Sequence, residues 1–143
     1  MPQLTLAKAN RMIREALSKA GELGLKPLAV SVLDAGGHPV AYQRQDGSSM
    51  LRFEIASGKA YGALAVGQGS RWLNETAIER PHFITGLSGV SGGRIVPVPG
   101  GVLIRTKKGE TLGAVGISGD TSDNDETCAI AAIEAAGYVA VAK

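Results

Sequence analysis

The sequence has few of the residues from which most recognisable sites are built. Its 143 residues include a single cysteine, Cys128, so no internal disulfide framework and no paired-cysteine metal site can form. Two histidines, His38 and His82, do not by themselves complete the usual four-ligand zinc site, and no metal is expected. One tryptophan, three tyrosines and two phenylalanines are too few to interleave base-stacking rings with a basic stripe. Fifteen Lys and Arg against thirteen Asp and Glu leave a net charge of +2, and apart from Lys107-Lys108 the basic residues stand singly, so nucleic acid is not an expected partner. No apolar run approaches the roughly 18 residues that a membrane-spanning helix needs. The opening "MPQLTLAKANRMIREAL" shows neither a continuous apolar stretch after a basic start nor a small-residue cleavage site, so a cytoplasmic location is the expectation.

What remains is the composition of one globular domain spanning 1–143, with 44% hydrophobic and 20% charged residues. A chain of this length buries roughly 70% of its unfolded surface without staples. Residues 5–24 place Leu6, Ala9, Ile13, Ala16, Leu17 and Ala20 on one helical face, with Thr5 as cap and Gly24 as stop. "LAVSVLD" and "HPVAYQRQ", joined by Asp34-Ala35-Gly36-Gly37, read as a β-hairpin. Residues 49–66 read as a helix dominated by Ala56, Ser57, Gly58, Ala60, Gly62, Ala63 and Ala65, a surface that lets another backbone approach closely. A shorter helix around 70–79 carries Trp72 and Leu73 and is stopped by Pro81. "GVLIRT" and "TLGAVGIS" form a second hairpin around "KKGE". "SDNDETCAIAAIEAAGYVAVA" reads as a final helix, opened by overlapping capping boxes Ser122-x-x-Asp125 and Asp123-x-x-Glu126. Antiparallel hairpins flanked by helices make an α+β sandwich, not a doubly wound fold.

The stretch "GVSGGRIVPVPGG", residues 89–101, holds five glycines and two prolines. Strands and a helix follow it at undiminished density, so it is an internal loop leading into a strand and not a domain linker. It lacks the lysine and hydroxyl that complete a P-loop. Two readings stay open for its Pro99-Gly100-Gly101 corner: a tight turn at a sheet edge, or a wall whose bare backbone N–H groups contact a small ligand.

"VLDAGGHPVAYQRQDGS", "IASGKA", "VPGGVLI" and "LGAVGISGDTSDNDETCA" resemble, in order, the successive motifs of the GlcG/HbpS family. The similarity extends to the C-terminal domain of PduO-type corrinoid adenosyltransferases and covers residues 5 to about 140. The resemblance implies a profilin-like α/β/α sandwich, with a five-stranded antiparallel sheet between helices, assembled as a dimer, tetramer or octamer. It implies haem as a ligand, or else a role beside pathways that consume small organic acids. In haem-binding relatives a histidine of the N-terminal helix can serve as axial ligand, whereas residues 5–24 here contain none. His38 and His82 fall in loops where a solvated imidazole is the commoner case.

Carried over residue by residue, the family pattern puts Arg44, Asp46 and Gly47 at the end of the second strand, where Arg44 follows Val40 and Tyr42 on one face. Its guanidinium either pairs with a protein carboxylate or holds an anionic ligand. Lys59, on the small-residue helix, is either solvated or partly buried and functional. Glu54 is placed to pair with a nearby cation. Asp125, Glu126 and Cys128 fall in the family's acidic segment; the acidic residues suit a helix start, Cys128 suits the core, and Asp125 joins the candidate ligand contacts. The expected ligand-binding set is therefore Arg44, Lys59, Pro99, Gly100, Gly101 and Asp125, with the Pro-Gly-Gly corner facing Arg44 and Lys59. The function expected is binding of haem, or of a related planar or acidic small molecule, by a homo-oligomer. The alternative is a catabolic enzyme acting on a small 2-hydroxy, 2-oxo or imine acid, tautomerase-, hydrolase- or deaminase-like, with Arg44 as carboxylate clamp and Lys59 in proton transfer.

Overall fold

Strand alternation sets which side of the sheet each helix covers. The computed structural model describes residues 2–143. In chain order it contains α1 (Leu6–Leu23), β1 (Ala29–Asp34), β2 (Pro39–Arg44), α2 (Arg52–Val66), α3 (Ser70–Glu79), α4 (Pro81–Val90), β3 (Gly101–Arg105), β4 (Thr111–Ser118), α5 (Ser122–Ala135) and β5 (Val139–Val141). The strands form one antiparallel sheet in the order β2-β1-β4-β3-β5. Val30, Val32, Val102, Ile104, Val115 and Ile117 point to one face, where Met12 and Ile13 of α1 and Ala129 and Ile133 of α5 cover them. Leu33, Leu103 and Ala114 point to the other, beneath Ala60 and Ala63 of α2. This is the α+β sandwich that the order of elements implies.

Local signals account for most element ends. The Thr5 hydroxyl accepts from the Lys8 N–H at 3.1 Å, and Gly24, at φ 64°, closes α1 in the left-handed conformation. The buried stripe of α1 is Ala9, Met12, Ile13, Ala16 and Ala20, an i, i+3, i+4, i+7 series; Leu6, expected on it, is exposed in the first turn. Pro81 does end α3, but it also occupies the first turn of α4, where its missing N–H costs nothing. Ile84 of α4 then packs with Leu73 and Ile95. The cap of α5 is Thr121, whose hydroxyl accepts from the Asn124 N–H at 3.2 Å, in place of the expected Ser122 and Asp123 boxes. That helix stops at Ala135, Gly137 turns the chain at φ 90°, and Val139–Val141 adds β5 beside β3 where a continuing helix was expected.

The small-residue surface of α2 is used within this chain. A Cβ on Gly116 of β4 would lie 1.9 Å from the Ala56 carbonyl oxygen, and one on Gly101 of β3 would lie 2.1 Å from that of Lys59. The surface admits the backbone of β3 and β4 along Ala56, Lys59 and Ala60 and the segment 94–96 at Gly58, so most of its small residues are covered within this chain, with Ala65 exposed. Gly116→Ala should overpack this contact and lower stability by about 2 kcal/mol. Gly86→Ala, on α4 with nothing within 4 Å of the added carbon, should melt at or above the wild-type temperature. Equal melting of Gly116→Ala and wild type in a calorimeter would contradict the close packing.

Candidate functional site

An apolar opening lies beside α2, on the side of the sheet away from α1. It is a cleft of about 450 Å³ between the β1–β2 turn, the first half of α2 and the segment 93–96. Leu33, Pro39, Leu51, Phe53, Ile55 and Val96 make its walls apolar, and Glu54, Ser57, Tyr61 and Arg94 are its polar contributions. The segment 93–96 reaches α2 because position 58 is glycine. The Val96 N–H donates to the Gly58 carbonyl at 3.2 Å, and a Cβ on Gly58 would sit 2.5 Å from Val96 Cγ2 and 2.9 Å from the Arg94 carbonyl oxygen. Gly92 and Gly93, at φ 70° and 78°, make the turn that delivers it.

Arg94 is held from two directions. Its Nε donates to the Ser91 carbonyl at 2.8 Å, and its guanidinium lies 4.3 Å from the centre of the Tyr61 ring. Its two terminal nitrogens have no partner among the described residues. Ser57 is engaged, its hydroxyl 3.0 Å from that of Ser31. Of the lining, Phe53 and Leu51 have 43 and 56% of their surfaces exposed, and Met50, next to Leu51 in sequence, has 84%. Tyr42 braces Phe53 edge-on, with ring centres 4.8 Å apart.

The residues singled out from the sequence divide into two places. Lys59 follows Gly58 on α2 but turns inward, with 2% of its side chain exposed. Its Nζ donates to the Ile117 carbonyl at 2.9 Å and to Asp125 Oδ2 at 3.0 Å, and Asp125 Oδ1 accepts from the Asp120 N–H at 3.0 Å. Burial pushes the Lys59 ammonium below its ordinary pKa, against the opposing pull of the Asp125 carboxylate. Asp125 is thus a partner for Lys59, not the helix cap that its position suggested. Pro99, Gly100 and Gly101 are buried, and the two glycines pack against Lys59. The Gly101 N–H is taken by Ser70 Oγ at 2.7 Å, and a Cβ on Gly100 would meet Lys59 Cδ and Nζ at 2.9 Å. The corner therefore uses its missing side chains to admit Lys59.

Arg44 lies elsewhere. It is exposed at the end of β2 and lines an open depression with Leu17, Leu25, Pro27, Gln45 and Asp46. Lys59 is buried in the interior while Arg44 lines this exposed depression, so a carboxylate clamp and a proton carrier are not brought together there. Glu54 lines the cleft and has no ion-pair partner among the described residues. Glu126 and Asp123 hold Arg71 of α3, and burial pushes the Cys128 thiol up to about 11, as a core residue. His38 rests against Asp34 on the β1–β2 turn and His82 is exposed in the first turn of α4; neither lines the cleft. Among the described residues no three His, Cys, Asp or Glu side chains gather as a metal site, and no helix is long and apolar enough to cross a membrane.

The residues missed from the sequence are Arg94, Tyr61 and Phe53. Two faint signals pointed to them: a lone cation set among the glycines of 89–101, and the i, i+7 spacing of Glu54 and Tyr61 on one helical stripe. The buried pair makes its own forecast. Lys59→Met, which leaves the Asp125 carboxylate buried without its cation, should cost about 3–5 kcal/mol in urea unfolding. Lys59→Met with Asp125→Asn should cost less than the sum of the two single changes; strict additivity would mean that the two groups do not interact.

This geometry has relatives. The chain is 33% identical over 131 residues to an uncharacterised 15.0 kDa protein of the dhaT-dhaS intergenic region in Citrobacter freundii, covering 92% of this chain and 90% of that one. It is 29% identical over 132 residues to the corrinoid adenosyltransferase PduO of the same organism, of whose length it spans 38%. Its fold superposes on the crystal structure of a PduOC–haem complex with a TM-score of 0.85 and 27% identity, over 96% of this chain and 97% of that one. The sequence pattern of the family described as haem degrading protein HbpS-like matches residues 4–134, and the chain belongs to that HbpS-like family.

Proposed function

We propose that the protein binds haem, or a planar carboxylate-bearing molecule of similar shape, in the cleft between α2 and the segment 93–96. The observation that carries this reading is the pairing of apolar walls with one positioned guanidinium. Leu33, Phe53, Ile55 and Val96 suit the faces of a flat macrocycle, while Arg94 offers two unengaged nitrogens to a carboxylate at its edge. The volume falls within the roughly 300–1,000 Å³ typical of cofactor and small-molecule sites. The likeness to a PduOC–haem complex supports the same ligand. These residues fit haem, which when bound supplies a redox-active iron; the chain's own part is to exclude water from the ring faces and to fix the acidic edge.

The cleft is open at one side, and its apolar rim of Leu51 and Phe53, continued by the exposed Met50, is too exposed to serve a monomer well. In this reading a second copy covers that rim, making the protein a homo-oligomer. Lys59, Asp125, Gly100 and Gly101 act behind the cleft by fixing α2, and Arg44 stands outside it.

Hemin added to the wild-type protein should give a saturable change in the Soret band. Arg94→Ala should weaken that binding about tenfold, equivalent to one charge-assisted contact of about 1.4 kcal/mol, without lowering the melting temperature. Unchanged affinity in Arg94→Ala, or equal loss in Arg44→Ala, would move the site away from the cleft. Sedimentation at micromolar concentration should show a species larger than the monomer, shifted toward monomer by Leu51→Asp.

A further inference from the structure

Resting on the reading of the cleft as the site of a planar, acid-edged ligand, we infer that the cleft recognises the outline and charge of that ligand and not its metal. It takes a flat apolar ring system with carboxylates confined to one edge, whether or not iron sits at the centre. Among the described residues, those that line the cleft include no histidine, cysteine or methionine, the side chains that most often bind haem iron. Helix α1 holds no histidine and covers the opposite face of the sheet, so it brings no donor to the cleft. His38 stands beside the cleft in sequence, between the lining residues Gly37 and Pro39, but its imidazole is turned to Asp34, with Nδ1 3.3 Å from Oδ1, and is 79% exposed.

What the cleft does offer is arranged along one stripe of α2. At one end Arg94 lies over Tyr61, with Nε committed to the Ser91 carbonyl and its two terminal nitrogens without a partner among the described residues. Glu54 lies seven residues before Tyr61 on that stripe, roughly 10 Å away at 1.5 Å per residue. Glu54 and Arg94 make no ion pair with each other, nor with any other side chain among the described residues, so a charge of each sign stays available. The remaining walls, Leu33, Phe53, Ile55 and Val96 among them, are apolar. A ligand carboxylate beside Arg94 gains a charge-assisted contact. One at the Glu54 end meets like charge, and one against the apolar walls loses water without a partner in return. The cleft is therefore complementary to acid on one edge only, and this recognition draws on nothing at the centre of the ring.

The test is titration of the protein with hemin, followed by absorbance, and with metal-free protoporphyrin IX and coproporphyrin III, followed by porphyrin fluorescence anisotropy. Protoporphyrin IX carries its propionates on one edge, as hemin does, whereas coproporphyrin III carries them around the whole ring. Protoporphyrin IX should bind within about fivefold of hemin, Arg94→Ala should weaken both by the same factor, and His38→Ala should change neither. Coproporphyrin III should bind at least about tenfold more weakly than protoporphyrin IX, with part of that loss recovered in Glu54→Gln. If hemin saturates the protein but the two affinities differ by more than about fivefold, or if His38→Ala abolishes hemin binding, the metal matters and this inference fails while the ligand site stands. Coproporphyrin III binding within about tenfold of protoporphyrin IX would overturn the one-edge rule in the same way. If neither hemin nor protoporphyrin IX binds saturably, the reading of the cleft itself fails, and the inference falls with it.

Discussion

The carbonyl of Ala56 occupies the space where a side chain on Gly116 would be, and the carbonyl of Lys59 occupies the space where one on Gly101 would be. This contact between a helix backbone and a sheet backbone constrains everything built on α2. It requires glycine on β3 and β4 and small residues on the facing side of the helix, and so it forgoes the large apolar side chains that usually join a helix to a sheet. Close packing of main chain recovers dispersion contacts, but it buries few methylenes. The Lys59–Asp125 pair then joins α2 to the start of α5 through the interior, with Ile117 and Asp120 completing its hydrogen bonds. Such a pair is weak support for stability in itself; what it supplies is one preferred position for the helix, since any slide would strand a buried charge.

The cleft follows from that fixed position. Because α2 lies so near the sheet, its next face along, Glu54, Gly58 and Tyr61, is left to meet whatever the chain brings from the far side. The chain brings residues 93–96, and Gly58 lets them come into hydrogen-bonding contact with the helix. An apolar slot therefore opens between two backbones joined by the Val96–Gly58 hydrogen bond. Arg94, exposed in this segment, is placed at its edge by the Ser91 carbonyl and the Tyr61 ring. The same glycine-rich segment thus does two different things: its first half frames the cleft, and its last three residues admit Lys59 to the core.

Much of the fold was legible because periodicity and caps act locally. Thr5 and Gly24 bracket α1, and Asp34 accepts from the Gly36 and His38 N–H groups in the turn that makes the first hairpin. The errors arose where a residue's partner is distant in sequence. Asp125 reads as a helix-start acid until Lys59, 66 residues away, arrives beside it. Lys59 reads as either solvated or partly buried on a helix of small residues, and the packing of Gly100 against its ammonium decides for the interior. The tail after Gly137 looked helical because alanines precede it, while β3 offered an edge on which Val139–Val141 could pair. Arg94 was visible as a lone cation among glycines, but nothing local says that it will lie on Tyr61, 33 residues earlier in the chain.

The central claim is that the ligand enters between α2 and the segment 93–96. Ferric haem is paramagnetic and broadens the resonances of nearby nuclei, so an amide NMR spectrum recorded during hemin titration reports its location directly. The account predicts early loss of the Phe53, Gly58, Tyr61, Arg94 and Val96 amide signals, with those of Leu17, Leu25 and Arg44 persisting. Broadening centred instead on Leu17, Leu25 and Arg44, or on the exposed side of α1, would contradict it.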